Sequence, residues 1–205
     1  MALAKVCGLV RPEDVAFAAE HGADLFGFVC HPPSPRHCPD LSVAGPHLDR
    51  AVLVMVSEMP QAILASAHRH GFRHVQPYLP EDMREAGVHL LREAGLQVLL
   101  PWPDKPGQAA VAADLYLWEC SPALTGVAGG SGRTHAMAHP PPGPFLLAGG
   151  LGASNLKARV RALPEGARDQ FRGVDAASRL EASHGAKDPA KVAAFIQAAH
   201  DLEFP

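Results

Sequence analysis

The sequence predicts an α/β fold, a single (β/α)8 barrel of the TIM type over residues 1–205, on three observations. Eight short apolar runs recur along the chain, and helix-starting signals stand between many of them. The runs are continuously apolar rather than alternating, which marks parallel strands covered on both faces. Strand–helix units repeated eight times close on themselves as such a barrel. An open doubly wound sheet is the competing architecture, but only Gly8 follows the first strand, without the G-x-G-x-x-G turn of a dinucleotide site.

Taken in order, Ala4–Leu9 reads as the first strand. Arg11-Pro12-Glu13-Asp14 opens a helix to about His21, since proline and acids favour a helix N-terminus. Gly22 ends it, and Asp24–Val29 is the second strand. Val52–Val56 is the third, followed by a helix from Pro60 that Gly71 closes. His74–Gln76 is a short fourth strand, and Pro80-Glu81-Asp82 begins a helix ending at Gly95. Gln97–Leu100 and Leu115–Trp118 are strands five and six. The segment His135–Pro144 is rich in proline, so the helix after strand six is expected to be short or irregular. Phe145–Ala148 is strand seven, with a helix from about Ser154 to Leu163. Gly173–Ala176 is strand eight, and Pro189–His200 the closing helix.

The 205 residues fit one domain with a proper core. A hydrophobic content of 47% argues against disorder. The net charge of −3 comes with no block of like charges and gives no support to nucleic-acid or membrane-surface binding. The N-terminus lacks the pattern of a signal peptide, and no apolar run approaches the about 18 residues of a membrane span. Cys7, Cys30, Cys38 and Cys120 show no C-x-x-C pairing, so reduced thiols in the cytoplasm are expected. The spacing of Cys30 and Cys38 matches no standard zinc pattern.

Barrel enzymes carry their chemistry at the C-terminal ends of the strands and in the loops that follow. That rule selects Cys7, the loop His31–His37, Glu58, Gln76 with Tyr78, Glu119, the glycine-rich stretch Gly126–Gly132, Gly149-Gly150, and Asp175–Glu181. The Gly149-Gly150-Leu151 turn before a helix suits an anion, because glycines admit close approach and free N–H groups attract negative charge. Cys7 acts as a base only as thiolate, and on pattern alone a lone cysteine in an apolar strand reads more readily as a packed core residue. Arg36, on the proline-stiffened Ser34-Pro35-Arg36 loop, suits carboxylate binding or an ordinary surface place. Glu119 follows Leu115-Tyr116-Leu117-Trp118. A carboxyl among apolar groups keeps its proton and serves as an acid, unless it forms a structural ion pair, for which Arg133 is at hand.

Along nearly the whole chain these motifs resemble the phosphoribosylanthranilate isomerase family. Lys5-Val6-Cys7-Gly8-Leu9 is similar to its K-[IV]-C-G opening. Gly22-Ala23-Asp24, Gly27-Phe28-Val29 and Ser34-Pro35-Arg36 follow at the expected distances. Gly129-Gly130-Ser131-Gly132-Arg133-Thr134 resembles the loop after strand six, and Leu147-Ala148-Gly149-Gly150-Leu151 with Asn155 its phosphate turn. Gly173-Val174-Asp175, Ser178, Glu181, Gly185, Lys187-Asp188 and Lys191-Val192 match its C-terminal signature.

The resemblance implies an Amadori rearrangement of N-(5'-phosphoribosyl)anthranilate in tryptophan biosynthesis, with Cys7 as base and Glu119 in the position of the family's aspartate acid. It implies that Arg36 binds the anthranilate carboxylate and that Gly149, Gly150, Ser178 and Arg179 hold the phosphate. Gln76, Gly130 and Asp175 complete the implied substrate site. No metal or organic cofactor is implied, and the expected partner is the phosphoribosyl substrate alone, with the chain a monomer or homodimer. Three departures stand out: glutamate for aspartate at 119, Gln76-Pro77-Tyr78-Leu79 for Gln-Leu-His-Gly, and Ala177-Ser178-Arg179-Leu180-Glu181 for Ser-Ser-Gly-Val-Glu. They leave open a drifted relative that isomerises another aminated phosphosugar, and a non-catalytic phosphosugar-binding protein.

Overall fold

A computed structural model describes residues 1–119 and 134–203. Its eight parallel strands are β1 (Leu3–Cys7), β2 (Leu25–Cys30), β3 (Ala51–Val56), β4 (His74–Tyr78), β5 (Gln97–Pro103), β6 (Leu115–Glu119), β7 (Phe145–Leu147) and β8 (Phe171–Ala176). They pair in sequence order, and β1 pairs with β8 to close the barrel.

Although the strands read as continuously apolar, their residues divide by parity, because successive side chains point to opposite faces. Ala4, Val6, Phe26, Phe28, Leu53, Val75, Trp118, Phe145 and Val174 face the outer layer and pack under the helices. Leu3, Cys7, Leu25, Val29, Val52, Val54, Leu99, Leu115, Leu117 and Leu146 fill the barrel interior. The outer core is aromatic around β6–β8, where Trp118 meets Phe145 edge-on at 5.3 Å and Phe145 meets Phe171 at 5.9 Å.

The helices follow the expected start signals. Pro12–Glu20 has proline in its first turn with Glu13 and Asp14 behind it, and Arg11 grips Asp14 through two hydrogen bonds of 2.8 and 2.6 Å. Pro60–His70 ends on Gly71, whose φ of 76° is a left-handed cap that favours glycine. In Pro189–His200, the Asp188 side chain caps by accepting from the Lys191 N–H.

The expected helix from Pro80 divides: Glu81–Met83 is a 3₁₀ turn and the α-helix proper is Arg84–Glu93. The helix after β7 is shorter than its pattern, Leu156–Arg161. The connection after β2 is a 3₁₀ turn, Leu41–His47, and residues 104–114 between β5 and β6 carry no helix. Residues 134–144 are irregular, as their prolines predict. They are fastened to the barrel instead by Asp104, which accepts from the His139 N–H at 2.7 Å and the Ala138 N–H at 3.2 Å. Trp102 reinforces this by donating to the His139 carbonyl at 2.9 Å.

Candidate active site

The parity that fills the barrel also selects what reaches its mouth. Cys7, Gln76, Tyr78, Glu119 and Asp175 all lie on inward-facing positions near the C-terminal ends of their strands. With Arg36 and the loop around it they line one cavity of about 450 Å³, which His31, Ser34 and His184 border at the rim.

Cys7 sits at the end of β1, opposite Gly27 of β2. Gly27 makes room for it: a β-carbon there would lie 2.6 Å from the Cys7 sulfur and 3.1 Å from its Cα. Gly27→Ala is therefore expected to displace the thiol and lower kcat by roughly 10–100-fold, with the barrel still folded. Steady-state rates beside a thermal melt check this, and an unchanged kcat would show that the sulfur's placement is not critical.

Beneath Cys7 lies Lys5, fully buried, with Nζ 2.6 Å from Asp175 Oδ1. Burial works against the lysine's charge, but Asp175 and Cys7 outweigh it and its pKa is raised. Burial likewise pushes the Cys7 thiol up, while Lys5 beside it draws it down. Asp175 pushes it up again, and Lys187 draws it down. The thiol is thus desolvated yet flanked by two ammonium groups.

Glu119 ends β6 and is 4% exposed. Burial pushes its carboxyl up to about 8. The hydrogen bond from Tyr78 opposes that rise, Asp175 adds to it and Lys5 opposes it. Burial thus favours the neutral acid over the carboxylate. Tyr78 donates its hydroxyl to Glu119 Oε2 at 3.2 Å and accepts from Gln76 Nε2 at 3.0 Å. Glu119 Oε1 and Gln76 Oε1 are buried and have no hydrogen-bond partner among the described residues. Arg133, the ion-pair partner weighed for Glu119, lies outside the described residues, as do Gly130 and Cys120.

Arg36 lines the cavity, but its guanidinium is already engaged. Nε and Nη2 donate to the two oxygens of Glu181 at 2.7 and 2.9 Å, and Nη1 stands outside that pair. Lys187 Nζ lies 3.5 Å from the same carboxylate and donates to the Ala177 carbonyl at 3.1 Å. Gly8, with φ 73°, lets the Arg36 stem cross the end of β1, where a β-carbon would meet Arg36 Cδ at 2.6 Å. The K-x-C-G motif thus supplies three separate things: a buried cation, a thiol and a passage for arginine.

Gly149 and Gly150 both have positive φ, 91° and 63°, as a glycine turn requires. Asn155 ties this turn together: its Oδ1 accepts from Gly152 N–H and its Nδ2 donates to the Gly150 carbonyl, each at 2.9 Å. Ser178 opens the 3₁₀ turn Ser178–Leu180 after β8, and the Arg179 stem lies against Gly152. The two predicted phosphate turns are therefore neighbours. Gly149, Gly150, Ser178 and Arg179 are not among the described cavity-lining residues, whereas Cys7, Arg36, Gln76, Glu119 and Asp175 are.

The strand-end rule reached Tyr78 and Glu181 without giving either a role, and it passed over Lys5 and Lys187. A lysine two residues before Cys7 on a buried strand was the available sign, since i and i+2 share a face.

Comparison with known proteins agrees with this architecture. The family model described as N-(5'phosphoribosyl)anthranilate (PRA) isomerase matches residues 4–198. The N-(5'-phosphoribosyl)anthranilate isomerase of Nitrobacter hamburgensis is 32% identical over 220 residues, 98% of this chain and 94% of that one. The enzyme of that name from Pseudomonas paraeruginosa is 33% identical, over 95% and 93% of the two chains. Among solved structures, TrpF of Jonesia denitrificans superposes with TM-score 0.73 at 29% identity, covering 98% and 97%. The phosphoribosyl anthranilate isomerase of Thermus thermophilus shares the fold with TM-score 0.73 at 23% identity, over 96% and 97%. With the match spanning all eight strands, the chain belongs to the N-(5'-phosphoribosyl)anthranilate isomerase family.

Proposed function

We propose that this chain converts N-(5'-phosphoribosyl)anthranilate to 1-(2-carboxyphenylamino)-1-deoxyribulose 5-phosphate, the aldose–ketose isomerisation of tryptophan biosynthesis. The observation that carries this is a buried carboxyl, Glu119, and a buried thiol, Cys7, that line one cavity in a chain of this family. An Amadori rearrangement needs those two groups. Glu119 gives its proton to the furanose ring oxygen, and the ring opens to a Schiff base. Cys7 then removes the C2' proton, and the enolamine tautomerises to the ketone. Proton transfers by positioned groups are what general acid–base catalysis supplies.

In this reading Arg36 receives the anthranilate carboxylate through N–H groups outside its pair with Glu181, which holds the guanidinium in the cavity wall. The Gly149-Gly150 turn and the Ser178-Arg179 backbone take the phosphate, supported by the positive φ values and the Asn155 clamp. Gln76 and Asp175 line the substrate's path, and Gly130 is assigned to the same site from the family motif. We assign the chain to the cytoplasm, in keeping with its free thiols Cys7, Cys30 and Cys38. No described helix is long and apolar enough to cross a membrane.

The test is the decay of anthranilate fluorescence when purified protein meets freshly generated phosphoribosylanthranilate. Enzyme-dependent decay is expected, and Glu119→Gln should slow kcat by about 10²–10⁴-fold with little change in KM. No decay from folded protein would overturn the isomerase reading. Decay at full rate in Glu119→Gln would remove that residue from the mechanism.

A further inference from the structure

Glu119 presents an asymmetry that the proposed reaction does not by itself require. One carboxyl oxygen, Oε2, accepts the Tyr78 hydroxyl at 3.2 Å. The other, Oε1, is buried with no hydrogen-bond partner among the described residues. A carboxyl oxygen that accepts a hydrogen bond is the poorer place for the acid proton, so the proton resides on the other oxygen.

The Tyr78 hydroxyl has only one proton, and its direction is set in turn. Gln76 Nε2 donates to the phenol oxygen at 3.0 Å, which leaves the phenol O–H free to point at Glu119. Gln76 and Tyr78 are two residues apart on β4 and share its inward face, while Glu119 enters from β6 across the barrel mouth. We propose that Tyr78 is a positioning residue for the acid: its hydroxyl, held by Gln76, binds Oε2 of Glu119 and leaves the transferable proton on Oε1.

This deepens the isomerase reading and rests on it for the catalytic consequence. In the neutral acid the Tyr78 bond fixes the carboxyl's rotation. After proton transfer the same bond stabilises the carboxylate, in a pocket where desolvation otherwise penalises it. The charged and titratable groups facing Glu119 are Tyr78 on β4, Asp175 on β8 and Lys5 on β1, and Cys7 shares the cavity. Tyr78 remains a phenol throughout, since burial first and Glu119 next push its pKa well above the ordinary value.

The experiment pairs kinetics with the infrared carbonyl stretch of protonated carboxyl groups, titrated from pH 6 to 10 in wild type and Tyr78→Phe. Glu119→Gln removes the band in question and so assigns it. Tyr78→Phe keeps the ring and its packing. The Glu119 band is expected to persist to higher pH in that variant, by about one pH unit, the equivalent of one net hydrogen bond. With it kcat falls roughly 10-fold or more while KM holds. Gln76→Leu, which frees the phenol to rotate, is expected to shift the band in the same direction by a smaller amount. A titration midpoint unmoved by Tyr78→Phe overturns the proposal, whatever happens to the rate. Wild-type protein that fails to isomerise phosphoribosylanthranilate overturns the functional reading instead, and the infrared titration still decides the hydrogen-bond assignment.

Discussion

Cys7→Ser is expected to reduce kcat by about 10²–10⁴-fold while leaving KM nearly unchanged, because serine keeps the volume but not the acidity of the thiol. Cys7 is 8% exposed and lies inside the barrel, so the folded core should tolerate this isosteric change. The wild-type pH profile carries the second half of the prediction. Glu119 holds its proton up to about 8, whereas burial keeps the Cys7 thiol protonated above the ordinary thiol range. The reaction needs the opposite arrangement, a neutral carboxyl with a thiolate. That form is a fixed minor fraction of the singly protonated pair, whose population grows as the first proton leaves. Activity should therefore climb with pH, about tenfold per unit, until pH 8 and fall only when the second proton is lost. A profile of kcat/KM that is flat from pH 6 to 8 would sink this account. So would a Cys7→Ser variant that turns over at the wild-type rate.

Lys5→Met is expected to destabilise the fold by about 3–5 kcal/mol, because it leaves Asp175 as a buried charge without its partner. Lys5 is fully buried and Asp175 nearly so, and their strands are in direct register. The same change removes a positive neighbour of Cys7, so kcat should fall as well. Urea unfolding of Lys5→Met and of Lys5→Met/Asp175→Asn separates the two effects. The double variant should regain most of the stability and none of the activity. A single variant that unfolds within about 1 kcal/mol of wild type would show that Asp175 does not depend on Lys5 for its burial.

Much of the barrel was legible because strands buried on both faces must be apolar and helices between them must announce their starts. Pro12, Pro60 and Pro189 each open a helix where proline's missing N–H does no harm, and Gly71 closes one at positive φ. The boundaries that slipped lie where packing overrules pattern. Pro80-Glu81-Asp82 tightens into a 3₁₀ turn before the α-helix begins, and the helix after β7 shortens to Leu156–Arg161. Cys7, Gln76, Glu119 and Asp175 could be singled out as strand-end residues. Tyr78 was reached by the same rule but without a role, and Lys5 was passed over, since a tyrosine after a proline and a lysine in an apolar strand carry no chemistry until their neighbours are known.

By itself the sequence determined which residues reach the barrel's mouth, since alternation along each strand depends only on local backbone geometry. It also placed a carboxyl at the end of an apolar strand, and left open whether that group is a neutral acid or half of an ion pair. Only the tertiary structure decided the partners. Lys5 finds Asp175 170 positions away, Arg36 finds Glu181 145 positions away, and Tyr78 reaches Glu119 across 41. Such pairings follow from the register of barrel closure and from the paths of the loops. Burial then sets the value of each pairing, because a charge removed from water interacts strongly with whichever group the fold brings beside it.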